Sequence, residues 1–178
     1  MIATRPYIIA INGGIGSGKS VVSRIVMAMG YPVYDCDTRA RQLMDNSDKI
    51  KAAISADIHR ACVKDGLIDR TMLASIVFED EEKLAALNSI VHGAVREHFA
   101  SWAQHQLCPV CFVETAILYQ SGMETMVDEV WTVNAPLDLR IDRVMKRNGL
   151  TRQAVMSRIA TQDSFIPTRP VSYTNMTL

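Results

Sequence analysis

No apolar run in this sequence of 178 residues reaches the roughly 20 residues that a membrane-spanning helix needs. The opening residues, Met1-Ile2-Ala3-Thr4-Arg5-Pro6, contain no long apolar region and no cleavage-like site, so no leader peptide and no membrane partner are expected. An excess of one charge is also lacking. Nineteen Lys and Arg balance nineteen Asp and Glu, which argues against a broad basic surface and so against nucleic acid as a partner. Cysteine is scarce. Four in a chain of this length cannot form a disulfide scaffold, and a cytoplasmic protein with reduced thiols is the expectation. Internal repeats and low-complexity segments are missing as well. What remains is globular: 48% of residues are hydrophobic and 21% charged, enough for one domain with a sizeable core.

Tyr7-Ile8-Ile9-Ala10-Ile11 is a short continuous apolar run, the pattern of a buried parallel strand. Val21, Val22, Ile25, Val26 and Met29 then recur at helical spacing, and Gly30 with Pro32 stops that helix. Pro32 to Asp35 reads as a second strand. Strand, loop, helix and strand make a βαβ unit, and with it a parallel sheet. From about Asp37 to Gln106 the sequence turns helical, and Leu84, Leu87, Val91, Val95, Phe99 and Trp102 put one stripe on a helix near Glu81 to Gln104. That stretch is too long for a simple crossover and is expected to be an inserted helical subdomain. Pro109 to Val113 and Val130 to Val133 read as further buried strands. Helices are expected over Leu137 to Lys146 and from Thr151 to about Gln162, while Asp163 to Leu178 shows no clear period.

Between the first strand and the first helix lies Gly13-Gly14-Ile15-Gly16-Ser17-Gly18-Lys19-Ser20. The spacing Gly13-x4-Gly18-Lys19-Ser20 is the P-loop pattern in its required strand–loop–helix setting. Glycines let successive N–H groups converge on an anion, and the following helix adds its positive end. Lys19 is placed to reach the β- and γ-phosphates of a nucleotide, and the Ser20 hydroxyl to ligate Mg²⁺. A switch GTPase needs DxxG and NKxD elements downstream, and neither occurs. The strand ending in Glu114 is a partial match to the acidic strand end of motor and transport ATPases. Small size and a long helical insert fit a kinase acting on a small molecule.

Asp35 and Asp37 stand at the end of the second strand, on the sheet edge where ligands of open α/β sheets bind. A carboxylate there can position or deprotonate an attacking hydroxyl. The structural alternative is that Asp37 caps a helix beginning at Thr38. Cys108-Pro109-Val110-Cys111 lacks two further zinc ligands and leads into a strand, so inert buried thiols are expected. His92, His98 and His105 recur at spacings of six and seven on one helix, which does not bring two of them to one metal.

The run Asn12 to Ser20, then Tyr31-Pro-Val-Tyr-Asp-Cys-Asp37 followed by Ala40-Arg41, resembles dephospho-CoA kinase. Further matches follow in order: Asp69-Arg70, Leu87 to His92, Ile117-Leu118-Tyr119, Ala135-Pro136, Arg143, Arg147 and Arg158 to Gln162. The resemblance covers residues 7 to 162 and implies a P-loop kinase three-layer α/β fold, a parallel sheet flanked by helices. It implies a core of about residues 1–36 and 107–178, a CoA-binding helical insert over about 37–106 and a lid over about 143–158. The implied reaction moves the γ-phosphate of ATP, with Mg²⁺, to the ribose 3′-hydroxyl of dephospho-CoA. Carried over by position, Asp37 engages that hydroxyl with Asp35 beside it, Lys19 and Arg143 stabilise the transferring phosphoryl group, and Arg147 joins the nucleotide side. Arg41, Arg70 and His92 fall in the part that receives the CoA moiety.

Three positions depart from the family pattern: Asn12 replaces its Thr, Gly93 its Pro, and Gln120 its Glu. Asp163 to Leu178 resembles none of the usual final strand and helix, so the expectation is a missing strand, an exposed sheet edge and weaker adenine binding or lower stability. Two other readings stay open at this point: a kinase for another small acceptor, and a nucleotide- or CoA-binding protein with little turnover.

Overall fold

The structure, a computed structural model, describes residues 5–163 and 172–177 and divides into two compact units. The first comprises Met1–Asp35 and Trp102–Leu178, the second Cys36–Ser101.

The first unit is built on a five-stranded sheet in the order β2-β5-β1-β6-β7, from β1 (Tyr7–Asn12), β2 (Val33–Asp35), β5 (Val110–Thr115), β6 (Glu129–Asn134) and β7 (Ser172–Thr177). Every pairing is parallel. Ile8, Ile9, Ala10 and Ile11 are all buried, which is why β1 reads as an unbroken apolar run: both faces of a parallel sheet are covered. On one face Ile9 and Ile11 pack with Val22 and Val26 of α1 (Lys19–Ala28), Phe112 and Val133. The helix ends as its sequence demands, with Gly30 at φ 92° and its N–H donating to the Met27 carbonyl at 3.0 Å.

A second core joins α6 (Leu137–Asn148) to α7 (Arg152–Asp163), with Ile141, Val144, Val155 and Ile159 interlocked and Ile15 of the glycine loop packed against them. Gly149, at φ 66°, closes α6 by donating to the Met145 carbonyl at 2.9 Å. The chain order reverses at β1, whose neighbours are β5 and β6, so the carboxyl end of β1 is the topological switch point. The glycine loop follows it directly.

The final strand corrects the sequence reading. Ser172–Thr177 pairs in register with Glu129–Asn134, so β6 is an interior strand and β7 forms that edge. Pro167 and Pro170 lie outside the described residues.

The second unit contains α2 (Cys36–Asn46), α3 (Asp48–Asp57), α4 (Arg70–Glu79) and most of α5 (Glu81–Gln104), with a hairpin of β3 (Val63–Lys64) and β4 (Leu67–Ile68). Ile50, Ile54, Ile58, Cys62 and Leu73 form its core, and Leu87 and Ile90 of α5 pack on it. Ser47 caps α3 by accepting from the Ile50 N–H, and Asp69 caps α4 by accepting from the Met72 N–H at 2.9 Å. The hairpin was not expected from a stretch read as wholly helical. Asp65 (φ 50°) and Gly66 (φ 74°) supply the two positive φ values of a tight primed turn, and the strands they join are only two residues each.

Candidate active site

The glycine loop has the alternating backbone of an anion nest, with Gly16 at φ 79° and Gly18 at φ 108°. Its carbonyl groups are all taken by protein donors. Lys19 Nζ donates to the carbonyls of Gly13 (2.6 Å) and Gly14 (3.2 Å). Arg140 Nε donates to that of Ile15 at 3.1 Å, and Arg143 to those of Gly16 and Ser17 at 3.4 Å each. Five successive carbonyls, residues 13 to 17, are thus held by three cations. That leaves the loop's N–H groups, apart from that of Ser17, which donates to the Gly14 carbonyl at 3.2 Å, and the N-terminus of α1 to meet an anion.

Beside the loop the strand ends carry acids. Ser20 Oγ, in the first turn of α1, donates to Glu114 Oε1 at 3.2 Å. Glu114 is registered between Ile11 of β1 and Asp35 of β2, so its side chain and that of Asp35 share the face of the sheet that α1 covers. Serine hydroxyl and carboxylates are hard oxygen donors of the kind Mg²⁺ takes. Among the described residues no three His, Cys, Asp or Glu converge as a metal cluster.

Arg147 does not reach the loop. It is exposed and its Nε donates to Asn148 Oδ1 at 2.9 Å. Asp37 is exposed in the first turn of α2, which begins at Cys36 and not at Thr38. It therefore lies inside the helix and is not its cap, at a position that favours a carboxylate. In the second unit, Arg41 is exposed on α2, and the Arg70 guanidinium is tied to Asp45, also on α2, at 2.6 Å. His92 on α5 is half-buried. Burial first, and Arg96 second, hold its imidazole below the usual histidine range, which favours the neutral ring over the cation. Cys111 is buried within β5 and its thiol is pushed up to about 11, chiefly by burial, in keeping with an inert thiol.

The profile of the dephospho-CoA kinase family matches residues 7–167. The chain belongs to the dephospho-CoA kinase family. It is 38% identical over 155 residues to the dephospho-CoA kinase of Porphyromonas gingivalis, covering 87% of this chain and 77% of that one. It is 37% identical over 156 residues to that of Thermus thermophilus, covering 88% and 75%. A crystal structure of a Thermus thermophilus protein superposes with TM-score 0.78 at 34% identity, covering 98% of this chain and 90% of that one. The dephospho-CoA kinase of Campylobacter jejuni, 22% identical, superposes with TM-score 0.64 over 96% of this chain and 88% of that one, and shares the fold.

One residue near the family's loop had no place in the motif reading. Arg140 lies three positions before Arg143 on α6, so the two share a face. That spacing was the available signal. Glu114 was legible as an acid at a strand end, but its partner, the Ser20 hydroxyl, is 94 residues away in sequence and only the fold brings the two together.

Proposed function

We propose that this chain transfers the γ-phosphoryl group of ATP to the ribose 3′-hydroxyl of dephospho-CoA, producing coenzyme A and ADP. The observation that carries the reading is the glycine loop, held open to an anion by Lys19, Arg140 and Arg143 in a chain whose family match runs over residues 7–167. The 3′-hydroxyl oxygen forms a bond to the γ-phosphorus while the bond from that phosphorus to the β–γ bridging oxygen breaks. The hydroxyl proton passes to the Asp37 carboxylate, and ADP carries away the bridging oxygen's electron pair.

Gly13, Gly14, Ile15, Gly16, Ser17 and Gly18 bind the phosphates through backbone N–H groups. Lys19 and Arg143 are close enough to the loop to neutralise charge as it shifts to the bridging oxygen. Mg²⁺, when bound, would supply positive charge that offsets the charge of the phosphates. Ser20 would hold it, and Glu114, bonded to Ser20, with Asp35 alongside, would support that site. Arg147 joins the phosphates when the segment 143–158 closes as a lid and excludes water. Arg41, Arg70 and neutral His92 bind the CoA portion in the second unit. The site of action is the cytoplasm, where the four free cysteines stay reduced.

The test is a panel of hydroxyl acceptors with ATP and Mg²⁺. Dephospho-CoA is expected to yield ADP and coenzyme A. ADP formation with another acceptor and none above background with dephospho-CoA overturns the reading.

A further inference from the structure

We propose that Arg140 is a positioning residue for the nucleotide phosphates, holding the glycine loop from α6 in the shape that receives them. Two observations meet on this side chain and two more on its helix. Its Nε donates to the Ile15 carbonyl at 3.1 Å. Gly14 has no positive φ, yet a Cβ there would collide with the Arg140 guanidinium. A Cβ at Gly16 would come within 2.5 Å of the Arg140 carbonyl oxygen. Ile15, between these two glycines, packs its side chain into the α6–α7 core. Residues 14 to 16 are thus moulded on Arg140 and its helix.

The consequence for binding follows from the planar trans peptide. In the unit linking Ile15 to Gly16, the carbonyl and the N–H point in opposite directions. A donor that fixes the Ile15 carbonyl toward α6 therefore aims the Gly16 N–H away from α6, into the nest. Arg140 need not touch a phosphate to do this. Gly14 is glycine to admit the guanidinium, a demand separate from backbone conformation.

The proposal rests on the loop being an ATP site and is tested without acceptor, so the identity of the acceptor does not enter. Calorimetry with Mg²⁺ compares ATP and adenosine binding to the wild-type chain, Arg140→Met, Arg140→Lys, Gly14→Ala and the Gly14→Ala/Arg140→Met double variant. Loss of one hydrogen bond to a charged group predicts ATP binding weaker by about tenfold in Arg140→Met, with adenosine unchanged. Arg140→Lys, which retains a donor, should recover most of the loss. Gly14→Ala should weaken ATP alone but add less than about twofold to Arg140→Met, because each removes the same contact. Arg140→Met binding ATP within about twofold of wild type, or effects that multiply in the double variant, overturns the proposal. Should Arg140→Met fail to fold by circular dichroism, Arg140→Ala, alone and with Gly14→Ala, takes its place under the same two criteria. A wild-type chain that binds no ATP refutes the ATP-site reading itself.

Discussion

Replacing Asp37 by Asn keeps the size of the side chain and its place in the first turn of α2, but removes the carboxylate proposed to accept the hydroxyl proton. General-base catalysis is worth about 10²–10⁴-fold, so kcat is expected to fall by that factor while the ATP dissociation constant stays within about twofold. An ATP affinity lost in step with kcat would place Asp37 on the nucleotide side instead. His92 gives a pH signature. Its folded-state value is lowered, by burial first and Arg96 second, so the unfolded chain takes up a proton at higher pH than the folded one. The stabilisation is fully present above the ordinary histidine value of about 6.5 and is lost as pH falls below it toward the folded value. Denaturant titrations from pH 8 to about 5 should show this decline in the wild type and a flatter profile in His92→Gln; equal slopes would contradict it. At this scale the sequence disclosed residues whose chemistry is local. Gly13 to Ser20 are contiguous, and Asp35 ends a strand. It did not disclose Arg140, since an arginine on an amphipathic helix is usually a solvated one.

Among the elements, α6 and α7 bear most directly on the loop. Ile141 is fully buried at their interface, and Ile15 is held by the same core. Ile141→Ala is expected to cost about 2–5 kcal/mol, read by chemical denaturation, and to raise ATP hydrolysis without acceptor as the hairpin loosens over the phosphates. A destabilised variant with unchanged hydrolysis would separate the hairpin from the loop. Element boundaries were legible where periodicity was long. The stripe from Leu84 to Trp102 predicts a helix near Glu81 to Gln104, which are the observed ends of α5. The β3–β4 hairpin was not, because two-residue strands carry no period and only Asp65-Gly66 marks the turn. The helical stretch read from about Asp37 begins at Cys36, directly where β2 stops, which removes the alternative of Asp37 as a cap before Thr38.

In the molecule as a whole, the sheet owes one edge to β7. Ser172–Thr177 reads Ser-Tyr-Thr-Asn-Met-Thr, with too little apolar alternation to announce a strand, and its partner β6 lies about forty residues earlier. The pairing is a property of the assembled sheet. A chain ending at Asp163 exposes the edge of β6 and the side chain of Trp131, so it should melt lower, by about 2–4 °C per kcal/mol lost, and self-associate in size-exclusion chromatography. Unchanged melting and elution would show that β7 adds nothing to the sheet. The parallel architecture and the glycine loop after β1 followed from the first thirty-five residues, because a βαβ unit leaves few alternatives, whereas the switch point at β1 depends on β5 and β6 flanking it and came only with the sheet order.

The central claim is a single transfer, and mass spectrometry of one reaction tests it. The purified 178-residue chain is incubated with ATP, Mg²⁺ and dephospho-CoA, and the products are followed together with the position of the new phosphate. The account predicts coenzyme A phosphorylated at the 3′-hydroxyl and ADP in equal amounts. ATP consumption no faster with dephospho-CoA than without it, and no phosphorylated product, would contradict it.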